Sequence, residues 1–190
     1  MDLFDLCMHA RTVRRFREAL GIDPATALGL VEAAGLAPCA GNLQELRYVI
    51  ILDKAGREAL FPLLSWAAYL KDWPGPGEGE RPAGYVVILA PSEEKPFTRI
   101  DAGIAAGYIT LDAHAAGLGT CILMSFDRAG MGSLLCVPDG LSPILVIALG
   151  EPAEEVVVET LPPGGPVEYW RDSEGVHHVP KRPVSDLLIT

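Results

Sequence analysis

The spacing of apolar residues along this chain changes several times, and each change marks an element. Leu3, Leu6 and Cys7 recur at helical spacing, which predicts a short helix over residues 2–9. Residues 11–16 follow directly; if they are helical, Arg11 lies one turn from both Arg14 and Arg15. Asp23-Pro24, a cap residue followed by proline, opens a second helix that runs to about residue 35. Leu28, Val31, Ala34 and Gly35 form its stripe. Residues 37–42, Ala-Pro-Cys-Ala-Gly-Asn, are turn-forming. Residues 47–52 are rich in β-branched side chains and read as a buried strand, and residues 54–69 as a helix. A second buried strand covers 85–90, and a long helix covers 99–116. Ala102, Gly103, Ala105, Ala106 and Gly107 on that helix let another helix come close, which suits a central helix or a subunit contact. A strand over 120–124, a helix over 127–135, an apolar strand over 143–150 and a polar-flanked strand over 155–160 complete the pattern. Helices alternate with strands, so a layered α+β or α/β domain with a mixed sheet is expected.

Two stretches stand outside this pattern. Residues 72–83 carry too many glycines and prolines for a regular element, and a loop of that length is either a surface loop or a lid over a site. Its Gly-x-Gly-x-Gly does not lead from strand to helix, so it is not a dinucleotide fingerprint. After Pro162 the chain loses core character. Residues 163–190 cannot fold alone and must lie on this core or on a second subunit.

Composition narrows the class. With 190 residues and ~150 per domain, one domain is expected. Hydrophobic residues at 49% and charged residues at 21% suit a globular protein. A net charge of −10 argues against general nucleic-acid binding, which needs clustered cations. The longest apolar runs, 86–90 and 144–149, fall far short of the ~20 residues of a membrane helix. The N-terminus is acidic where a secretory signal is basic, and four cysteines without CxxC spacing suit reduced thiols, so a cytoplasmic location is expected.

Known catalytic patterns are absent: there is no Gly-x-Ser-x-Gly, no Walker A loop and no His-Glu-x-x-His. His9 and His114 are isolated and suit structural hydrogen bonds. His177-His178 is adjacent rather than at i, i+4 spacing, so no metal site is expected. No side chain is assigned as catalytic. What remains is the placement of positive charge. Arg11, Arg14 and Arg15 cluster around Thr12 near one end, and Lys181-Arg182 lies near the other. Guanidinium forks with a hydroxyl suit a phosphate held between both ends of the chain. Two separate solvated faces are the alternative.

Four blocks carry a family resemblance. Arg11-Thr12-Val13-Arg14-Arg15-Phe16 resembles the N-terminal Arg-Ser/Thr-x-Arg-x-Phe motif of the nitroreductase family of FMN-dependent oxidoreductases. The stretch from Ala37 to Gln44 is similar to its Ala-Pro-Ser-x-x-Asn-x-Gln motif. Asp101-Ala102-Gly103-Ile104-Ala105-Ala106, followed by Gly117-Leu118-Gly119-Thr120-Cys121, is similar to its central helix and next strand. His178-Val179-Pro180-Lys181-Arg182 resembles its C-terminal basic motif. The blocks occur in family order and span most of the chain.

The resemblance implies an α+β fold: a nitroreductase-like three-layer α/β/α arrangement around a mixed, mainly antiparallel sheet. It implies one domain, with residues 1–162 as the FMN-binding core. Residues 163–190 would be a tail exchanged onto the partner in a homodimer. Arg11, Thr12, Arg14, Lys181 and Arg182 would hold the FMN phosphate and ribityl chain. Pro38, Cys39, Ala40, Asn42 and Gln44 would approach the flavin from the other subunit. Met124 and Ser125 would place backbone groups near flavin N5 and O4, and residues 66–73 would lie near the pyrimidine ring, with Lys71 close to N1 and O2. The implied activity is hydride transfer from NAD(P)H to a small acceptor such as a nitroaromatic or quinone. Donor and acceptor would share one flavin face in ping-pong fashion. A flavin-binding or sensing protein without turnover, a relative with another chemistry (flavin fragmentation, reductive dehalogenation) and a flavin-free structural relative are alternatives.

The chain also departs from the motifs. Ala10 stands where many members have arginine, Cys39 where serine is common, Glu45-Leu46 where Pro-Trp often follows, and Met124-Ser125 where well-known bacterial members have Glu-Gly. The substrate pocket is therefore expected to differ from theirs.

Overall fold

A computed structural model describes residues 2–189. The described residues form five α-helices: α1 (Leu3–His9), α2 (Pro24–Gly35), α3 (Lys54–Leu60), α4 (Thr98–Ala115) and α5 (Arg128–Leu134). The strands are β1 (Arg47–Ile51), β2 (Gly84–Pro91), β3 (Gly119–Leu123), β4 (Leu141–Gly150), β5 (Val156–Thr160), β6 (Trp170–Arg171) and β7 (His177–Lys181). Side-chain caps start the helices where polar residues precede them. Asp23, Asp53 and Asp127 each accept from a backbone N–H of the first turn of α2, α3 and α5.

The central sheet runs β1-β2-β4-β3 and is antiparallel throughout. Its two inner strands are buried on both faces, and their alternation splits the core. Val86, Ile88, Ala90, Ile147 and Leu149 face α2 and α4. Tyr85, Val87, Leu89, Val146 and Ala148 pack with Leu60, Leu64 and Met131 on the side of α3 and α5. The sheet thus lies between two helical layers. Pro143 has no N–H for the ladder, and the β2–β4 register slips beside it, leaving Ile144 as the extra residue. A second sheet, β5-β7-β6, pairs β5 with β7 in parallel and β6 with β7 antiparallel. Parallel and antiparallel pairing therefore coexist in the chain, with antiparallel dominant.

Several elements differ from expectation. Residues 11–16 are extended. Val13 N–H donates to the Thr120 carbonyl at 2.8 Å and Phe16 N–H to the Glu80 carbonyl at 2.9 Å, so the segment is a partner for its neighbours rather than a helix. Alternate residues then point to opposite sides, which sends Arg14 and Arg15 apart. Gly119 and Gly150, opposite one another across β3 and β4, make room for it. A Cβ at Gly119 would lie 2.8 Å from Val13 Cβ, and one at Gly150 3.0 Å from Phe16 Cδ1. Helix α3 stops at Leu60, and a single 3-10 turn, Phe61–Leu63, built around Pro62 replaces its expected continuation to 69. Strand β1 is a half-buried edge rather than a buried strand.

The loop over 72–83 is docked. The Glu18 carboxylate accepts from Gly79 N–H at 2.7 Å, and Gly75 and Pro76 are buried. A Cβ at Gly75 would come within 2.6 Å of the Trp66 ring. In the C-terminal stretch β7 pairs with the chain's own β5, and β6 pairs with β7. Beyond them Val184, Leu187, Leu188 and Ile189 are exposed.

Candidate functional site

The two chain ends meet at one pocket. Ala10, Arg11, Thr12 and Arg14 from the N-terminal segment, and Tyr169, His177, Val179 and Lys181 from the tail, line a cavity of about 260 Å³. The strand period explains the tail's share. His177, Val179 and Lys181 are alternate residues of β7 and present one face, while His178 presents the other. The N-terminal share is fixed by an isolated parallel bridge between Thr12 and Thr120.

Arg14 is buried to 9% exposure. Its guanidinium lies 4.4 Å from the centre of the Tyr169 ring, and its Nη1 donates to His177 Nε2 at 3.0 Å. Guanidinium nitrogens are donors only, so Nε2 must be the unprotonated nitrogen of that ring. Burial, and then the neighbouring Arg14 charge, push the His177 pKa down to about 4. Glu154 anchors the surrounding backbone. Its carboxylate, 1% exposed, accepts from Arg171 Nη2 at 2.6 Å, from Arg15 N–H at 3.1 Å and from Arg14 N–H. Arg11 donates to the Cys7 carbonyl at the end of α1.

The other predicted residues lie in two further places. Pro38, Cys39 and Gln44 line a second cavity, of about 210 Å³, with Tyr48, Asp101 and Ala105. Asp101, in the first turn of α4, accepts from Ala40 N–H at 3.0 Å and holds the loop to the helix. Gly41, Asn42 and Gln44 all have positive φ (57°, 54° and 52°), so this loop is held in a shape that most residues avoid. Met124 lines a small cavity with Arg99, Ala102, Gly103 and Ile144. Its N–H and that of Ser125 have no protein acceptor among the described residues, whereas the Ser125 carbonyl accepts from Ser65.

Of the predicted set, Arg11, Thr12, Arg14 and Lys181 are therefore brought together. Pro38, Cys39, Ala40, Asn42 and Gln44 form a separate group in the same chain, and Met124-Ser125 a third. Arg182 is exposed and outside the pocket. Arg15 turns away, 3.3 Å from Glu80, toward an open groove with Tyr69, Lys71, Trp73 and Arg171. Sequence reasoning missed Tyr169, His177 and Glu154. Their partners are 163 and 140 positions away for the Arg14 contacts of His177 and Glu154, and no local pattern announces them.

The set suits a phosphate ester: four donors from Arg, Lys and Thr converge in a chain of net charge −10. The free N–H groups after β3 suit a heteroaromatic acceptor. Among the described residues no three His, Cys, Asp or Glu side chains gather as metal ligands, and no helix is long and apolar enough to cross a membrane.

Comparison with known proteins agrees with this architecture. A model described as the Nitroreductase family matches residues 8–151. A curated relative, the NADH dehydrogenase of Thermus thermophilus, is 26% identical over 199 residues, covering 90% of this chain and 97% of its own length. Among solved structures, a nitroreductase family protein from Streptococcus pneumoniae TIGR4 superposes with a TM-score of 0.72 at 14% identity, over 100% of both chains. An FMN-dependent nitroreductase from Clostridium difficile R20291 superposes with a TM-score of 0.67 at 24% identity, over 80% of this chain and 89% of that one.

Proposed function

Because the chain belongs to the nitroreductase family, we propose that it is an FMN-dependent oxidoreductase carrying hydride from NAD(P)H to a small organic acceptor such as a nitroaromatic or a quinone. The observation behind this reading is the convergence of Arg11, Thr12, Arg14 and Lys181 from opposite ends of the chain on one pocket. When bound, FMN supplies hydride chemistry at its N5 position. The protein's part is to bind and orient. Arg11, Arg14 and Lys181 neutralise the phosphate, and Thr12 offers a hydroxyl to the phosphate or ribityl chain. The unpaired N–H groups of Met124 and Ser125 are fixed donors for flavin N5 and O4, independent of side-chain identity. No side-chain acid or base is assigned.

The second cavity, with Pro38, Cys39, Ala40, Asn42 and Gln44 around it, completes the site from another copy of the chain. Two features suit a homodimer. Ile100, Gly103, Ile104, Gly107 and Tyr108 share one face of α4; Ile100 is 62% exposed, and the space above both glycines is open. The exposed Val184, Leu187, Leu188 and Ile189 then give the tail an apolar strip with which to grip the partner. The Arg182 guanidinium would join the phosphate site from the rim.

The test is the visible spectrum of the purified protein, identification of the released cofactor, and anaerobic mixing with NADH and NADPH. A yellow protein that releases FMN and bleaches with either nucleotide is expected. A protein that stays colourless after incubation with FMN would overturn the reading, and a flavin that stays oxidised with both nucleotides would remove NAD(P)H as donor.

A further inference from the structure

His177 lines the pocket, and the proposed activity gives it no role. It is fully buried, beside an arginine that is nearly so. A protonated histidine beside a cation is unfavourable, whereas the neutral ring is held by two contacts of its own and one between its partners. Its Nε2 accepts from Arg14 Nη1 at 3.0 Å, its ring lies 5.1 Å from that of Tyr169, and Tyr169 also carries the Arg14 guanidinium on its face. The Arg171–Glu154 ion pair is tied to the cluster through Arg14 N–H, and the His177 backbone is fixed by its N–H to the Glu155 carbonyl at 2.9 Å.

The tautomer follows from the donor inventory. With Nε2 accepting, the ring proton sits on Nδ1, which is sealed from solvent and has no protein acceptor among the described residues. An unpaired buried donor costs free energy. The arrangement keeps that cost, and with it an acceptor aimed at Arg14. Among the described residues the other two guanidinium nitrogens of Arg14 have no protein partner, and neither is among the sealed unpartnered atoms. They are the ones left for the cavity. One donor is thus occupied and the plane is clamped on a ring, so the fork has a single orientation before any ligand arrives.

We propose that His177, as its neutral Nδ1–H tautomer, is a positioning residue that aims the Arg14 guanidinium at a phosphoryl group in this pocket. This rests on the flavin reading for the identity of the ligand, but not for the role. The burial-depressed pKa of His177 agrees with the ring staying neutral at physiological pH.

Two substitutions separate aiming from packing. His177→Phe keeps an aromatic ring against Tyr169 and removes the acceptor. His177→Gln gives up the ring and keeps an acceptor oxygen near the Nε2 position. Affinities for FMN and for riboflavin, which lacks the phosphate, are measured by flavin fluorescence on the full chain. Aiming predicts that His177→Phe weakens FMN about tenfold and leaves riboflavin unchanged, and that His177→Gln stays within about threefold of wild type for both. A Phe variant that matches wild type, or Phe and Gln variants that lose FMN and riboflavin in equal measure, overturns the proposal. Inorganic phosphate gives a readout free of flavin, because a ligand of the folded state raises the melting temperature. It should stabilise wild type and His177→Gln but not His177→Phe. If wild type takes up neither flavin, the oxidoreductase reading fails; the phosphate shift then upholds the role of His177 if it follows that order and ends it if the Phe variant shifts as wild type does or no protein shifts.

Discussion

The two sheets of this protein are held together by different physics. In the central sheet β2 and β4 are buried on both faces, and the residues that meet there are Val, Ile, Leu, Ala and Tyr. The small sheet has half-exposed strands, and polar contacts tie it together. His178 on β7 reaches Glu159 on β5 at 2.6 Å and Asp172 beside β6 at 3.2 Å, and it stacks on Trp170 with centroids 4.9 Å apart. Arg171 and Arg14 fasten the sheet to the core through Glu154 and His177. Apolar burial has no charge to titrate or screen, whereas ion pairs do. The pocket therefore has one wall on a rigid frame and one on a wall that solution conditions can loosen. This suits a site that must admit a large anionic cofactor and then hold it.

The comparison is broken most severely at Glu154, the joint between the two parts. Glu154→Ala strands the Arg171 guanidinium, whose side chain is only 12% exposed, and leaves Arg14 and Arg15 N–H without their acceptor. Removing one partner of a buried pair costs about 3–5 kcal/mol. Urea unfolding should show that loss, together with loss of phosphate-dependent stabilisation. In the frame, Ile147→Ala opens a cavity at a fully buried position and should cost about 2–5 kcal/mol by the same measurement. Its penalty should be the same at low and high salt, with phosphate-dependent stabilisation retained. If Ile147→Ala abolished the phosphate response as fully as Glu154→Ala, the division into frame and wall would fail. Next in size is Gly119→Ala. Its methyl group would meet Val13 at 2.8 Å and push the cationic segment off β3. A cost of about 1–3 kcal/mol is expected, with weaker flavin uptake; unchanged uptake would mean that the segment does not depend on that contact.

The frame was legible in the sequence and the wall was not. The apolar runs at 85–90 and 143–150, short and rich in β-branched residues, read as buried strands and are, and the Asp23-Pro24 pair announces its helix locally. The family motifs named Arg11, Thr12, Arg14 and Lys181, and these four do converge. The helical geometry considered for the arginine cluster fails because the Thr120 and Glu80 carbonyls capture the segment as extended chain, a tertiary effect that the local sequence does not carry. Similarly, β7 contains two histidines, a proline and a lysine, and nothing in that composition predicts a strand. Its pairing with β5 depends on contacts made by side chains far apart in sequence. The adjacent histidines looked equivalent as a dipeptide. The strand period gives them opposite fates, one buried beside a cation and one half-buried between two carboxylates.

That opposition yields the smallest effect and the sharpest test. Hydrogen bonds from His178 to Asp172 and then to Glu159 raise its pKa above the ordinary 6.5. A raised pKa means that the folded state binds the proton more tightly, so the contribution is fully present below about pH 6.5 and is lost as pH rises through the raised value. The acid limit comes from Asp172, whose pKa the same contact lowers from 3.8, so its share is lost only as pH falls below that ordinary value and through the lowered one. His177 works in the opposite sense: its pKa is held down near 4, so its effect is to lower stability as pH falls from about 6.5 toward 4. His178→Gln should therefore melt below wild type at pH 6, and the gap should close as pH rises toward 9. Salt should narrow the gap at pH 6 as well, because these charges are near the surface. Ile147→Ala should show a gap that neither pH nor salt changes. A His178→Gln gap that stayed constant from pH 6 to 9 would mean that the clasp is packing alone, and the small sheet would then belong with the frame.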